Sequence, residues 1–172
     1  MKRRAMAVAA LFTAVLCAQQ FKFNLEHLAA KASDSVDLSL NGATLQFAAK
    51  FLDGKDPDEA AVKKIVSQLE GIYIKSFEFK KDGEYTQADL DSVRNQLRTP
   101  EWARIMGIKS SSDGDHAELY VRTEKKAVTG VAILVAGPRE LTVVNIVGPV
   151  DLDAIASLSG NLGVPKIEMP KK

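Results

Sequence analysis

The spacing of hydrophobic and polar residues predicts several helices in the first half of the chain. Residues 24–32 and 43–52 repeat their apolar positions at helical spacing, the first behind Asn24 as a candidate cap. Residues 53–71 form the longest such pattern, in which Pro57 suits the first helical position. The sequence therefore predicts two short amphipathic helices and one longer helix before residue 71.

Alternating positions and uninterrupted apolar runs predict strands in the remainder. Residues 72–80 place aromatic and aliphatic side chains on opposite sides, and a capping-box pattern, Thr86 to Asp89, opens a helix through Leu97. Residues 35–40 alternate over a short stretch and suit either a strand or an extended link. Further strands are predicted at 102–110, 116–123, 127–137 and 141–148.

These elements predict the fold class. The links between the last strands are too short for parallel crossovers, so neighbouring strands must be antiparallel. We expect an α+β fold with a mainly antiparallel sheet of about five strands, covered by helices on at least one face.

Two strands are apolar at successive positions, at residues 131–136 and 143–147. Such runs indicate central strands covered on both faces, which is the interpretation we favour, or strands covered on one face and partly exposed on the other. In the second case the exposed face would be a binding surface.

The first 18 residues have the layout of a secretory signal peptide. Lys2, Arg3 and Arg4 precede twelve uncharged residues, a run too short to span a bilayer comfortably. We therefore expect residues 1–18 to be a signal, residues 19–160 a single domain, and residues 161–172 a loose tail. The domain would end with a short helix capped by Asp151.

Cys17, the single cysteine, lies at the end of this signal. Lipidation favours a small residue immediately before the cysteine, but Leu16 stands there, so a lipid anchor is the less favoured outcome. Cleavage after Cys17 or Ala18 would leave a mature chain without a thiol. We expect an exported protein, periplasmic or extracellular, that uses neither disulfides nor thiolate chemistry.

Charge argues against one class of partner. The 172 residues carry a net charge of +1, but from Gln19 onward 20 basic residues face 22 acidic ones. A body without basic clusters lacks the electrostatic footprint of phosphate-backbone binding. We expect no nucleic-acid partner and no membrane-spanning mature chain.

Motifs for metal, cofactor or nucleophilic chemistry are missing from the sequence. His27 and His116 are far apart, and the acidic stretch at 53–59 has Lys55 and Pro57 where a calcium loop needs oxygen ligands. Ser110, Ser111 and Ser112 precede Asp115 and His116, but a loop run seldom forms a triad. We assign no catalytic, cofactor-binding or metal residue.

Paired carboxylates and scattered aromatic residues remain as weaker candidates. Asp34 with Asp37, and Asp151 with Asp153, could supply the two acids of a glycosidase, although their boundary positions favour solvated caps. The aromatic residues are more often core anchors than ligand platforms. They are Tyr73, Tyr85, Trp102 and Tyr120.

The order of elements resembles an uncharacterised family of exported bacterial proteins known as a domain of unknown function. The residues that carry the resemblance are 25–52, the segment 69–79 around Gly71, and the helix and strands up to about Leu158. The resemblance implies an accessory role at the envelope or in signalling, with some members encoded near sigma-factor and anti-sigma genes. It supplies no functional residues.

The sequence thus predicts an exported, non-enzymatic domain that contacts a protein or small ligand at the bacterial cell envelope. Two alternatives stay open. One is a hydrolase or glycan-active enzyme that uses unrecognised carboxylates, and the other is a carrier of an apolar ligand. A carrier should contain an enclosed apolar cavity of at least about 300 Å³.

Overall fold

A computed structural model describes residue 21 and residues 23–52, 54–55, 57–110 and 114–151. The predicted signal peptide with Cys17, the helix after Asp151 and the C-terminal tail lie outside the described residues. The helices are α1 (Glu26–Ala29), α2 (Gly42–Ala48), α3 (Pro57–Gln68) and α4 (Gln87–Gln96), with a 3-10 turn at Ala49–Phe51.

Six strands form one fully antiparallel sheet. Their order across the sheet is β1-β2-β6-β5-β4-β3. The strands are β1 (Asp34–Asn41), β2 (Gly71–Glu78), β3 (Trp102–Lys109), β4 (His116–Glu124), β5 (Ala127–Gly137) and β6 (Glu140–Val147).

The α+β class and the antiparallel sheet are confirmed, but the prediction of about five strands is wrong by one. The additional strand is β1, which the sequence left open between a strand and an extended link. All eight of its residues pair with β2, from Asp34 opposite Glu78 to Asn41 opposite Gly71. This pairing supplies the backbone hydrogen bonds that an extended link would leave to water.

Local side-chain chemistry fixes the helix starts. Thr86 and Asp89 form the predicted capping box of α4, each side chain meeting the other residue's backbone. Asn41 caps α2 by accepting a hydrogen bond from the Thr44 backbone N–H at 2.9 Å. The predicted cap at Asn24 is wrong, because α1 begins after Leu25 without a side-chain cap.

The larger core lies on one face of the sheet, which we call the inner face. It carries Phe77, Leu134, Leu141 and Val143, and the helix α4 adds Leu90, Val93 and Leu97 to the same buried cluster. Phe21, Phe23, Leu25 and Leu28 join this cluster from the N-terminal segment. Because strand residues alternate between faces, the other half of each strand points to the opposite side, the outer face.

Asn145 is an exception within the inner core. It is fully buried, lies in register with Tyr73 and Ala132, and neither its amide nitrogen nor its oxygen has a hydrogen-bond partner among the described residues. A buried amide without partners loses its hydration and gains nothing in return.

We predict that Asn145→Leu raises the free energy of unfolding by about 1–3 kcal/mol, because leucine keeps the branching of asparagine without its polar atoms. Urea denaturation followed by circular dichroism, with an unchanged m value, would measure the gain. A lower stability of the variant would show that the amide is hydrogen-bonded in solution.

Candidate functional site

The outer face of the sheet is organised in rows that run across the strands. The first row contains Leu40, Ile72, Ile146, Val131 and Val121, each opposite the next in the strand registers. Leu45 of α2, together with Leu69 and Val150, packs into this row and forms a second, smaller core cluster. Helices α2 and α3 therefore pack against one end of the outer face.

The next two rows form what we call the apolar strip. One row is aliphatic or thioether on all six strands, and the other holds four aliphatic residues and two hydroxyl residues. The rows consist of Leu38, Ile74, Val144, Ile133, Leu119 and Met106, and of Val36, Ser76, Thr142, Val135, Ala117 and Ile108.

The strip has the shape of a flat band. Six strands separated by about 4.8 Å give it a length of about 24 Å, and successive residues on one face of a strand set its two rows about 7 Å apart. Its two hydroxyl groups satisfy each other, because the Ser76 and Thr142 oxygens lie 2.7 Å apart. The strip thus presents hydrocarbon with no charged side chain in either row.

Solvent exposure is greatest at the two ends of the strip. Val36 and Ile108, on the edge strands, are 55% and 57% exposed, and Leu38 is 36% exposed. Ile133 and Val144, on the central strands, are partly exposed, whereas Leu134 and Val143 on the inner face are buried. The apolar runs do lie on central strands, as the favoured interpretation has it, but the expected coverage of both faces is wrong for the part of the outer face that is partly exposed.

A separate polar cluster lies at the edge of the inner face. Glu118 of β4 is buried, and Arg94 of α4 donates to its carboxylate from Nη2 at 2.6 Å and from Nε at 3.0 Å. The hydroxyl of Tyr120, two residues along β4, donates to the other carboxylate oxygen at 2.5 Å. The carboxylate is therefore held by donors from a helix and from its own strand.

Electrostatics fixes the protonation states of this cluster. Burial by itself raises the pKa of Glu118, but the hydrogen bonds from Arg94 and Tyr120 outweigh it, so the pKa of Glu118 lies below its usual value. Burial, and then the neighbouring carboxylate, raise the pKa of Tyr120 to about 12. Neither Glu118 nor Tyr120 changes its charge near neutral pH. The cluster is therefore suited to holding α4 on the sheet through Arg94 rather than to general acid–base catalysis.

The residues that the sequence singled out do not assemble into a catalytic set. Asp34 and Asp37 are three positions apart on β1 and so lie on opposite faces of the sheet. The Asp37 carboxylate pairs with the Lys75 ammonium at 3.1 Å. Asp153 lies outside the described residues, so the second carboxylate pair is not described.

The histidines and serines are equally dispersed. The Nε2 atom of His27 lies 2.9 Å from Asp89 Oδ1, while His116 starts β4 and pairs with Lys109 across the ladder. Ser110 belongs to the hairpin loop through a backbone bond to Asp115, and Ser111 and Ser112 lie outside the described residues.

One cleft of about 520 Å³ does bring four carboxylates together, those of Glu78, Asp82, Asp115 and Glu140. All four residues are exposed to solvent, and Asp82 accepts a hydrogen bond from Arg139 Nε at 2.7 Å. Glycoside hydrolysis needs one of its two acids in a protected environment, which this cleft does not offer. Within the described part of the chain, no three potential ligands are grouped to hold a metal ion.

The aromatic residues contribute to the inner core. Tyr73, Tyr85 and Trp102 pack against it, and Tyr120 is buried within it. The Tyr85 hydroxyl donates to the Gly137 carbonyl at 2.6 Å, and the Trp102 ring lies 5.2 Å from that of Phe21.

Sequence reasoning missed the cluster of Arg94, Glu118 and Tyr120. A signal was nevertheless present, because Glu118 shares the inward side of β4 with Tyr120 and an acidic residue there requires a basic partner. The sequence could not tell which of the many lysines and arginines would be that partner.

Comparison with known proteins places the chain in a family. Residues 29–158 match the profile of the Domain of unknown function (DUF4252), so the chain belongs to this family. A search of curated proteins finds no match. Among the helices that the structure describes, none is long and apolar enough to cross a membrane.

We predict that Glu118→Gln lowers the free energy of unfolding at pH 7 by about 3 kcal/mol, because Arg94 loses a buried charged partner. Since the folded-state pKa of Glu118 is lowered, its contribution is complete above its ordinary value of 4.5 and is lost as the pH falls through the folded-state pKa. The difference between wild type and variant should therefore shrink in acid.

Urea titrations between pH 7 and pH 3 would measure this effect. Tyr120→Phe is the control, because it leaves the pair of Arg94 and Glu118 in place and should retain most of the pH dependence. A difference that stays constant with pH would contradict the assignment of a lowered pKa to Glu118.

Proposed function

We propose that this chain is exported and acts without catalysis, by binding an amphipathic helix of another protein at the bacterial cell envelope. The observation that carries the proposal is the apolar strip. Apolar side chains exposed to water are energetically unfavourable, and covering the two rows of the strip would remove this cost. Exposed apolar surfaces of this kind mark interaction sites.

The dimensions of the strip favour a helix as the occupant. A helix rises 1.5 Å per residue, so about 16 residues span the 24 Å length of the strip. Its apolar stripe fits two adjacent rows of side chains. Helices α2 and α3 already pack on the first row, so an added helix would continue an existing layer.

The same dimensions argue against an apolar ligand carrier. A carrier encloses most of its ligand, whereas the strip is a flat band on the outer face. The proposal of export rests on the N-terminal pattern of basic residues followed by an uncharged apolar run.

We predict that replacing the two ends of the strip with lysine, in Val36→Lys/Ile108→Lys, weakens binding of the partner helix by about a hundredfold. Two charges would be desolvated against the apolar stripe of the helix. Both positions are more than half exposed on edge strands, where lysine is well tolerated in the unbound protein.

A photo-crosslinking residue at position 38 or 108 would identify the occupant, and one at position 51 serves as the control. Phe51 is 76% exposed and lies outside the strip, in the 3-10 turn. The proposal is supported if the crosslinked peptide comes from an amphipathic helix of a different protein. The purified helix must also bind the wild-type protein and lose affinity for the double variant by the predicted factor.

The other occupants would each overturn the proposal. A crosslink to residues 152–172 would mean that the chain covers its own strip, and a crosslink to a second copy would mean self-association. Equal labelling from position 51, or binding that is unchanged in the double variant, would mean that the strip is not the binding surface.

Export has its own test. We predict that mass spectrometry of the mature protein finds an N-terminus at Ala18 or Gln19, because cleavage after Cys17 or Ala18 removes the apolar run. A diacylglyceryl group on Cys17 would instead show a lipid anchor, and an intact N-terminal segment in the cell would contradict export.

A further inference from the structure

A second surface feature lies on the opposite side of the sheet from the apolar strip. It is a cleft of about 420 Å³ between α4 and the edge formed by β3 and β4. Six charged or hydroxyl-bearing residues line it, namely Asp91, Arg94, Arg98, Arg104, Glu118 and Tyr120. We call it the arginine cleft.

The charges of the arginine cleft are only partly balanced by each other. Arg94 pairs with Glu118 at 2.6 Å and with Asp91 at 3.5 Å, and both oxygens of the Glu118 carboxylate already accept hydrogen bonds. Arg98 and Arg104 form no ion pair with any acidic side chain that the structure describes. Three arginines against two acids leave the lining with a net charge of +1.

Arg98 and Arg104 reach the cleft from different elements. Arg98 follows the end of α4, and its Nη1 donates to Asn95 Oδ1 at 3.0 Å, which leaves most of its donors unused. Arg104 lies on β3 in register with Tyr120. Guanidinium groups from a helix end and a sheet edge thus line one concave surface.

Arg104 lies beside a glycine of its own strand. Gly107 lies opposite Glu118 in the ladder, and a side chain added there would meet the Arg104 guanidinium, whose Cζ atom is 3.6 Å from the Cβ position. The guanidinium therefore lies over a residue without a side chain, at the edge of the buried carboxylate.

We propose that the arginine cleft binds the phosphate group of a small molecule, with Arg98 and Arg104 as its direct donors. A guanidinium presents paired N–H groups that match phosphate oxygens. The oxygens of a tetrahedral phosphate can accept hydrogen bonds from two guanidinium groups that approach from different directions. Arg94 and Tyr120 limit the repulsion between the phosphate and Glu118, because their hydrogen bonds already hold its carboxylate.

We predict that inorganic phosphate, titrated into isotopically labelled protein at low ionic strength, shifts the side-chain Nε–Hε resonances of Arg98 and Arg104 in a saturable way. Arg98→Gln and Arg104→Gln should each weaken the phosphate affinity by about tenfold, because each removes one charged fork. Raising the salt concentration should weaken binding further.

Arg139→Gln is the matched control, because Arg139 is an exposed arginine that pairs with Asp82 away from the cleft. Thermal melts would verify that all three variants are folded. An arginine that only supported the fold would lower stability when replaced without changing the phosphate affinity of the remaining folded protein.

Two further arms of the experiment define the ligand. Acetate at equal concentration should bind more weakly than phosphate, and equal binding would overturn the preference for phosphate. Vesicles containing phosphatidic acid distinguish a lipid headgroup from a soluble phosphate, and binding to vesicles but not to free phosphate would overturn the small-molecule proposal. Shifts that fail to saturate, or that persist in both cleft variants, would overturn the site itself.

Discussion

The antiparallel register of the central strands β2, β6 and β5 is the constraint on which the rest of the structure depends. Because strand side chains alternate between faces, this single alignment sorts every residue of three strands into one of two layers. It places Phe77, Leu141 and Ala136 together on the inner face and Ile74, Val144 and Ile133 together on the outer face. A shift by one residue would exchange the two layers completely.

The inner and outer faces of the sheet differ in how much of each is packed against helices. Helix α4 and the N-terminal segment pack on the inner face, where they build the larger core. Of the helices that the structure describes, α2 and α3 pack on the outer face at the end near Ile72 and Ile146, and the same cluster reaches Ile133 and Leu119 of the apolar strip. The proposed interaction surface is thus a consequence of how far the described helices extend over the sheet, since most of its residues are ordinary strand-forming aliphatics.

The polar cluster and the arginine cleft share one structural cause. Arg94 must approach β4 to neutralise the buried carboxylate of Glu118, and this contact fixes the last turn of α4 against the sheet edge. Arg98, one turn further along, is then brought to the same side as Arg104 of β3. An interaction that stabilises the fold therefore also brings Arg98 and Arg104 to the lining of one cleft.

The sequence alone predicts most of the elements that the structure describes. Period-two patterns marked the strands, the Thr86 and Asp89 pair marked the start of α4, and short links required antiparallel neighbours. It could not determine whether residues 35–40 pair, because their alternation is equally compatible with an extended link and only the partner strand supplies the hydrogen bonds.

The exposure of a surface and the contact between distant side chains depend on the tertiary fold. An apolar run such as residues 131–136 specifies that both of its sides avoid water, but not how much of each side the helices of the described structure contact. Arg94 and Glu118 are 24 residues apart and meet because α4 packs on the inner face of the sheet, where β4 carries the glutamate. Long-range contacts of this kind depend on strand order and helix placement, which no local pattern of residues encodes.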